Sequence, residues 1–473
     1  MISVNLKSNE NSISMYAQNR RKWLKNMAMI PAYLLIPSWI IGCKEEDEWA
    51  KLGYSGKVAV IGAGLSGLYS TSLLLKQNVN VKLFEASSRI GGRVQTNDTF
   101  AGFPVELGAE QIHGSKSILY DLLLQNGFLP RNIEDDSSDL FLVGNQLRSE
   151  QYMNEQEQAA TLTQTIESIA NYPGAEMLVS QYIENFVDSN LWTLANALIG
   201  NEYGTSNNRL GIQGIQKTEE IWTAGLENFR VKQSLSSIFN QIFAQAVSIA
   251  QIQHEIKQID YQNNQIVLTI QTPQGEIQEL FDKVIVTVSL NVIKDWQSNG
   301  VLVPSLPVSK TDALSKLGMD RGIKVIIKYN NRFWPADLGS IYGGNLVPEY
   351  WVTQTDELLL TAFVMGERAE NLKNLGTNAL SAMATELTQL FGPAANLANV
   401  VDFLIKDWAD EPFVQGAYSY PKLNALGARE ELAKPIASKI YFAGEATNTN
   451  GHFATMHGAL ETGYRVAFEV LKS

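Results

Sequence analysis

The stretch from Lys57 to Thr96 limits this chain more than any other. It opens with Lys57–Ile61, a short continuous apolar run with the character of a strand buried on both faces. Gly62, Gly64 and Gly67 follow at G-x-G-x-x-G spacing, and Leu65, Leu68, Leu73 and Leu75 carry on as a helical pattern. A second apolar run, Val81–Phe84, ends in Glu85, about 20 residues beyond the glycines. Gly62 permits the tight turn, Gly64 lets backbone approach a pyrophosphate, and Gly67 lets the helix lie close on the strand. Ala63 and Ser66 sit between them in the same phosphate loop. The helix start presents unpaired N–H groups to the phosphates, and Glu85 is placed to accept from ribose hydroxyls. Strand, helix, second strand and acid together predict a dinucleotide site.

Which dinucleotide is bound depends on the next turn. Arg89, Gly91, Gly92 and Arg93 form R-x-G-G-R directly after the acid. On these residues the stretch resembles the N-terminal FAD motif of the flavin-dependent amine oxidases, closest to the polyamine oxidase and histone lysine demethylase branch. The resemblance implies FAD, with Arg89, Gly92 and Arg93 beside it and Arg93 near the pyrophosphate. An NAD enzyme with a basic second turn is the alternative.

At 473 residues and 45% hydrophobic, the chain is long enough for two domains. A net charge of −12 argues against nucleic-acid binding through a basic surface. It suits solubility, and also a cationic substrate. Four histidines and one cysteine exclude an intrachain disulfide and a Cys-rich metal site, and no metal is expected.

The N-terminus reads as a targeting segment. Asn19–Lys25, with Arg20-Arg21, resembles a twin-arginine signal, and Met27–Ile41 is too short and Pro-interrupted to span a bilayer comfortably. Ile40-Ile41-Gly42-Cys43 looks like a bacterial lipobox. The expectation is an exported lipoprotein of the bacterial cell envelope, periplasmic or at the outer surface, touching the membrane only through a lipid on Cys43.

Further family positions match downstream. By resemblance, Gly108, Ala109, Glu110 and Gln111 touch the flavin and His113 lines the substrate site; taken alone, His113 reads as a capping or core histidine. Ile256 matches the position that meets adenine, although Lys232-Gln233-Ser234 stands where the family usually has a Gly-Gly pair. Lys324, within the alternating run Ile323–Tyr329, matches a lysine whose ammonium holds a water against flavin N5. Gly444 and Glu445 match the phosphate-ribitol contact, and Thr455 and Met456 face the flavin pyrimidine at a helix N-terminus. Tyr418 and Thr455 match the two wall positions beside the reacting amine. The catalytic candidates are thus Lys324, His113, Tyr418 and Thr455.

The implied reaction moves hydride from a neutral primary or secondary amine, a polyamine among the candidates, to flavin N5. The imine then hydrolyses, and O2 reoxidises the flavin to give H2O2. With no cysteine past Cys43, FAD is expected to be noncovalent. An amino-acid oxidase or tryptophan 2-monooxygenase-like enzyme is disfavoured by Glu110-Gln111 where such enzymes carry an arginine. A carbon–carbon desaturase of the same fold is disfavoured by Lys324, and a flavin-binding protein without catalysis is the remaining option. The physiological amine and the oligomeric state stay open.

The expected fold is α/β: a discontinuous Rossmann-like FAD-binding domain of the p-hydroxybenzoate hydroxylase type, with an α+β substrate domain of mixed sheet plus helices. The division runs 1–43 signal, 44–56 tether, 57–115, 225–300 and 405–473 FAD-binding domain, and 116–224 and 301–404 substrate domain.

Overall fold

The computed structural model describes Trp49 and residues 52–133, 137–353 and 357–473. The expected signal segment 1–43, with Cys43, lies outside the described residues, as does most of the tether. Along the chain, the elements that position the site are β1 (Lys57–Ile61), α1 (Leu65–Lys76), β2 (Asn80–Phe84), β3 (Ala250–Gln251), β4 (Lys283–Val286), β5 (Gly322–Tyr329), β6 (Glu349–Trp351), β7 (Leu359–Met365), β8 (Val400–Asp407), β9 (Ile440–Phe442) and α2 (Met456–Lys472).

Five strands form an all-parallel sheet in the order β3-β2-β1-β4-β9. Val58, Ala59, Val60, Val284 and Ile285 are fully buried, as strands covered on both faces require. The sheet therefore draws on three separated segments of the chain. Helices α1 and α2 pack together on one face through Leu68, Leu74, Leu460, Val466 and Val470. A Cβ on Gly463 would sit 2.6 Å from the Ser66 carbonyl oxygen, so the two helices touch backbone to backbone.

A four-stranded sheet holds Glu255–Asp260, Ile266–Thr272 and Gly275–Phe281 as antiparallel neighbours, and Leu302–Val303 joins it in parallel. The division placed after residue 300 therefore cuts off a strand of this sheet. The third large sheet is mixed and seven-stranded, in the order β8-β5-β7-β6, then Leu338–Tyr342, Ser138–Val143 and Gln146–Ser149. Strand β8 pairs along β5, with Ile405 opposite Val325, so the division at 404/405 falls inside a strand of this sheet.

Between residues 157 and 221 lies the helical insertion, including Glu157–Ser168, Val179–Glu184 and Ile212–Ile221. The run Ser234–Ile249, which reads as one helix, is two: Leu235–Ile242 and Ala244–Ile249, broken at Phe243, whose φ of −104° and ψ of 28° leave the helical region. Among the described residues, no helix is long and apolar enough to cross a membrane.

Candidate active site

A cavity of about 420 Å³ runs from the C-terminal edge of the parallel sheet to the seven-stranded sheet. Its first wall is the turn after β1. Gly62 takes φ +102°, a conformation that L side chains rarely adopt. Thr287, just past β4, donates its hydroxyl to the Ile61 and Gly62 carbonyls at 2.9 Å each and clamps this turn. Gly64 is the N-cap of α1 and offers no side-chain cap, so the first N–H groups of α1 are left for another acceptor. A Cβ on Gly64 would meet nothing within 4 Å, whereas one on Gly67 would fall 1.9 Å from the Gly62 oxygen. An open space over uncapped helix N–H groups, closed behind by a helix that must carry glycine, fits a pyrophosphate.

Glu85, at the end of β2, accepts the Ala63 N–H on Oε2 (2.8 Å) and the Ser87 N–H on Oε1 (2.9 Å), which fixes its carboxylate at the cavity edge. Ala63 is wholly buried and takes part through its backbone, the N–H to Glu85 and the carbonyl accepting the Gly91 N–H (2.8 Å). Ser66 lines the cavity, and its hydroxyl lies 3.1 Å from Thr462 Oγ1 on α2, joining the two helices.

Arg89, Gly92 and Arg93 line the same wall. Arg93 donates to the Ala417 carbonyl (2.8 Å) and to Glu445 Oε1 (2.9 Å). Glu445 also accepts the Ser419 hydroxyl (2.7 Å) and the Ser419 and Ala454 N–H groups. Burial opposes its ionisation, but Arg93 and Arg429 outweigh burial and hold the carboxyl below its usual range. Glu445 lines the cavity and also brackets Arg93, which it aims along the wall. Arg89 donates to the Ile90 and Val94 carbonyls and stacks over Trp408, 5.7 Å from the ring centre.

The floor is the chain from Gly108 to His113. A Cβ on Gly108 would sit 2.0 Å from the Arg93 oxygen and 2.7 Å from Trp408, so only glycine fits. Ala109, Gln111 and Ile256 border the cavity, and His113 Nδ1 lies 2.5 Å from Asn228 Oδ1. Lys324 on β5 is 3% exposed. Its ammonium donates to the Glu106 carbonyl (2.8 Å), the Gly108 carbonyl (3.3 Å) and Glu110 Oε2 (2.5 Å). Glu110 in turn pairs with Arg230 Nε at 2.9 Å, so it is a counter-ion within the floor as well as a residue of the cavity lining.

The opposite wall brings Tyr418 together with Thr455 and Met456 at the start of α2. Tyr418 donates its hydroxyl to the Glu202 carbonyl (2.9 Å), and its ring fills the space beside Gly204. Thr455 is the N-cap of α2: Oγ1 accepts the Gly458 N–H (2.9 Å) and donates to the His452 carbonyl (2.7 Å). The Thr455 hydroxyl is thus engaged in the helix cap while the residue lines the cavity wall.

Glu202, Glu219 and Glu349 are among the cavity's carboxyl groups that the sequence does not mark. Tyr203 donates to Glu219 Oε1 (3.1 Å). Glu349, on β6, has its pKa pushed well above the carboxylate range by burial and then by the nearby Glu202 and Asp139. Among the described residues, no group of three or more His, Cys, Asp or Glu forms a metal cage.

A glycine cradle on a parallel sheet, an acid at the second strand and a cavity reaching into a second sheet define a dinucleotide-dependent oxidoreductase. Comparison with known proteins narrows this class. A family described as an NAD(P)-binding Rossmann-like domain matches residues 60–124, and one described as flavin containing amine oxidoreductase matches residues 250–471. The probable polyamine oxidase 4 of Arabidopsis thaliana is 25% identical over 86% of this chain and 85% of its own. The lysine-specific histone demethylase 1B homolog of Caenorhabditis elegans is 25% identical over 89% of this chain, but only 57% of its own. The solved structure of putrescine oxidase bound to putrescine superposes with a TM-score of 0.75 at 19% identity, over 89% of this chain and 100% of that one. That of cyclohexylamine oxidase from Brevibacterium oxydans gives 0.72 at 18%, over 89% and 99%.

This chain belongs to the flavin-containing amine oxidoreductases. It is an FAD-dependent oxidoreductase of CH–NH groups, and the cradle at Gly64 is where its residues fit the pyrophosphate.

Proposed function

We propose that this chain oxidises a primary or secondary amine of the diamine or polyamine class, with FAD held noncovalently. The observation that carries the reading is an acidic group lining one cavity, Glu202, Glu219 and Glu349: Glu202 lies near Glu349, and its neighbour Tyr203 holds Glu219. Bound FAD would take hydride from the carbon beside nitrogen and pass the electrons to O2, leaving an imine that water cleaves. The chain's own part is orientation and desolvation. Tyr418 and the Thr455–Met456 corner would flank the reacting amine, and the acidic group would receive a second cationic group of the substrate. Arg230 is not free for an amino-acid carboxylate: it pairs with Glu110 and donates to the Thr353 carbonyl (3.1 Å).

Peroxide release from purified holoenzyme tests this with putrescine, spermidine, spermine, simple monoamines and L-amino acids. Turnover of the di- and polyamines at KM values well below those of monoamines is expected. Turnover of L-amino acids alone would overturn the reading. We also propose export as a lipoprotein through Cys43. Wild type should sediment with membranes and Cys43→Ala should not; equal sedimentation would sink that proposal.

A further inference from the structure

The floor of the cavity contains a buried ionic trio assembled from three distant parts of the chain. Glu110 lies between the short strands Val105–Glu106 and Ile112–His113, Arg230 on the short strand Asn228–Arg230 and Lys324 on β5. The side chains of Lys324 and Glu110 are 4% and 8% exposed, and their contact is 2.5 Å. Arg230 meets the other carboxylate oxygen at 2.9 Å. The Trp351 ring lies 5.1 Å from the ammonium, so Lys324 is confined from that side as well. One carboxylate faces two cations, and the cluster keeps an excess positive charge against the cavity.

We propose that Glu110 is a positioning residue: it pins the Lys324 ammonium in the cavity floor, and through it sets the electron affinity of the flavin. Two observations support the assignment. Lys324 has only backbone carbonyls as its other acceptors, so Glu110 is the side chain that selects its rotamer. Burial works against charge on Glu110, yet Lys324 and Arg230 outweigh it and hold the carboxyl below its usual range. The carboxylate is therefore ionised where the ammonium needs a partner. Charge beside the ring is one of the ways a protein tunes a flavin.

The proposal rests on the reading that Lys324 acts on the flavin, and the test separates the two. The readout is the FAD midpoint potential of holoenzyme, by dye-coupled reduction at fixed pH, for wild type, Glu110→Gln, Lys324→Met and the double variant. FAD content and melting temperature report folding. Glu110→Gln should move the potential negative, because the ammonium is no longer held in the floor, and the same substitution in the Lys324→Met background should produce no negative shift. Glu110→Asp, which keeps the charge one methylene back, should recover part of the wild-type value, and it carries the test if the Gln variant fails to hold FAD. An unchanged potential in Lys324→Met sinks the parent reading. A shift there with none in Glu110→Gln or Glu110→Asp, or shifts that add independently, overturns this proposal alone.

Discussion

At the scale of single residues, the cavity is governed by carboxyl groups in low-dielectric surroundings. Burial pushes Glu106 up to about 7, against the pull of the Leu235 N–H and the Thr96 hydroxyl. A carboxyl that is protonated more readily in the folded state stabilises the fold fully below its ordinary value of 4.5, and that contribution is lost as pH rises to about 7. The loss amounts to about 3 kcal/mol. Glu106→Gln removes the titration, so its melting temperature should gain on wild type steadily between pH 5 and 7 and then level off. A constant difference across that range would remove Glu106 from the account. Burial, with Glu202 and Asp139 nearby, also raises Glu349 well above the ordinary carboxylate range, and an ammonium placed beside it would pull it back down. Glu349→Gln should raise KM for a diamine about tenfold, or 1.4 kcal/mol, and leave a monoamine nearly unchanged. Equal effects on both would deny it a role in recognition. Lys324 and Glu110 both stood out in the sequence, but their contact did not. They are 214 positions apart, and neither local pattern implies the other.

At the scale of elements, the glycine turn separates two functions that a motif merges. Gly67→Ala places a methyl 1.9 Å from backbone and must push α1 off β1. A loss of roughly 1–3 kcal/mol in the apoprotein is expected, with weaker FAD binding following from it. Gly64→Ala meets open space. It should cost the apoprotein under about 1 kcal/mol as a poorer N-cap, yet weaken FAD by about tenfold or more, or 1.4 kcal/mol. Thermal melting of apoprotein with fluorescence titration of FAD distinguishes the two, and equal damage in both would contradict the cradle. Strand, turn and helix were legible here because β1, α1 and β2 are contiguous and periodic. Thr287 and Ser419, which clamp the turn and its arginine, were not legible. Each reaches the site from a remote strand end, and nothing in its neighbours marks it. The same holds for Glu202, whose surroundings Gly200–Asn208 read only as punctuation, and for Glu349, which enters the cavity by sheet pairing.

At the scale of the whole molecule, three chain segments share one parallel sheet, and the last of them closes it. Helix α2 buries Leu460, Val466, Val470 and Leu471 against the first helix and its neighbours. At about 1.5–3 kcal/mol per side chain, these four alone approach the stability of a typical domain, about 5–15 kcal/mol. Deleting residues 456–473 should therefore leave an aggregating chain that takes up no FAD, as gel filtration and absorbance would show. A soluble, yellow truncated protein would refute that assignment. The broad division into two sheet systems was readable from composition and motif order. The boundaries were not, because Leu302–Val303 and β8 each pair across the line that sequence suggests.

The order of those segments also has a temporal meaning. Translation delivers Arg93 first and Glu445, which brackets it, 352 positions later, so a nascent chain that stops between them holds only half a binding site. The vitamin-derived ligand must wait until the second half has emerged and folded against the first.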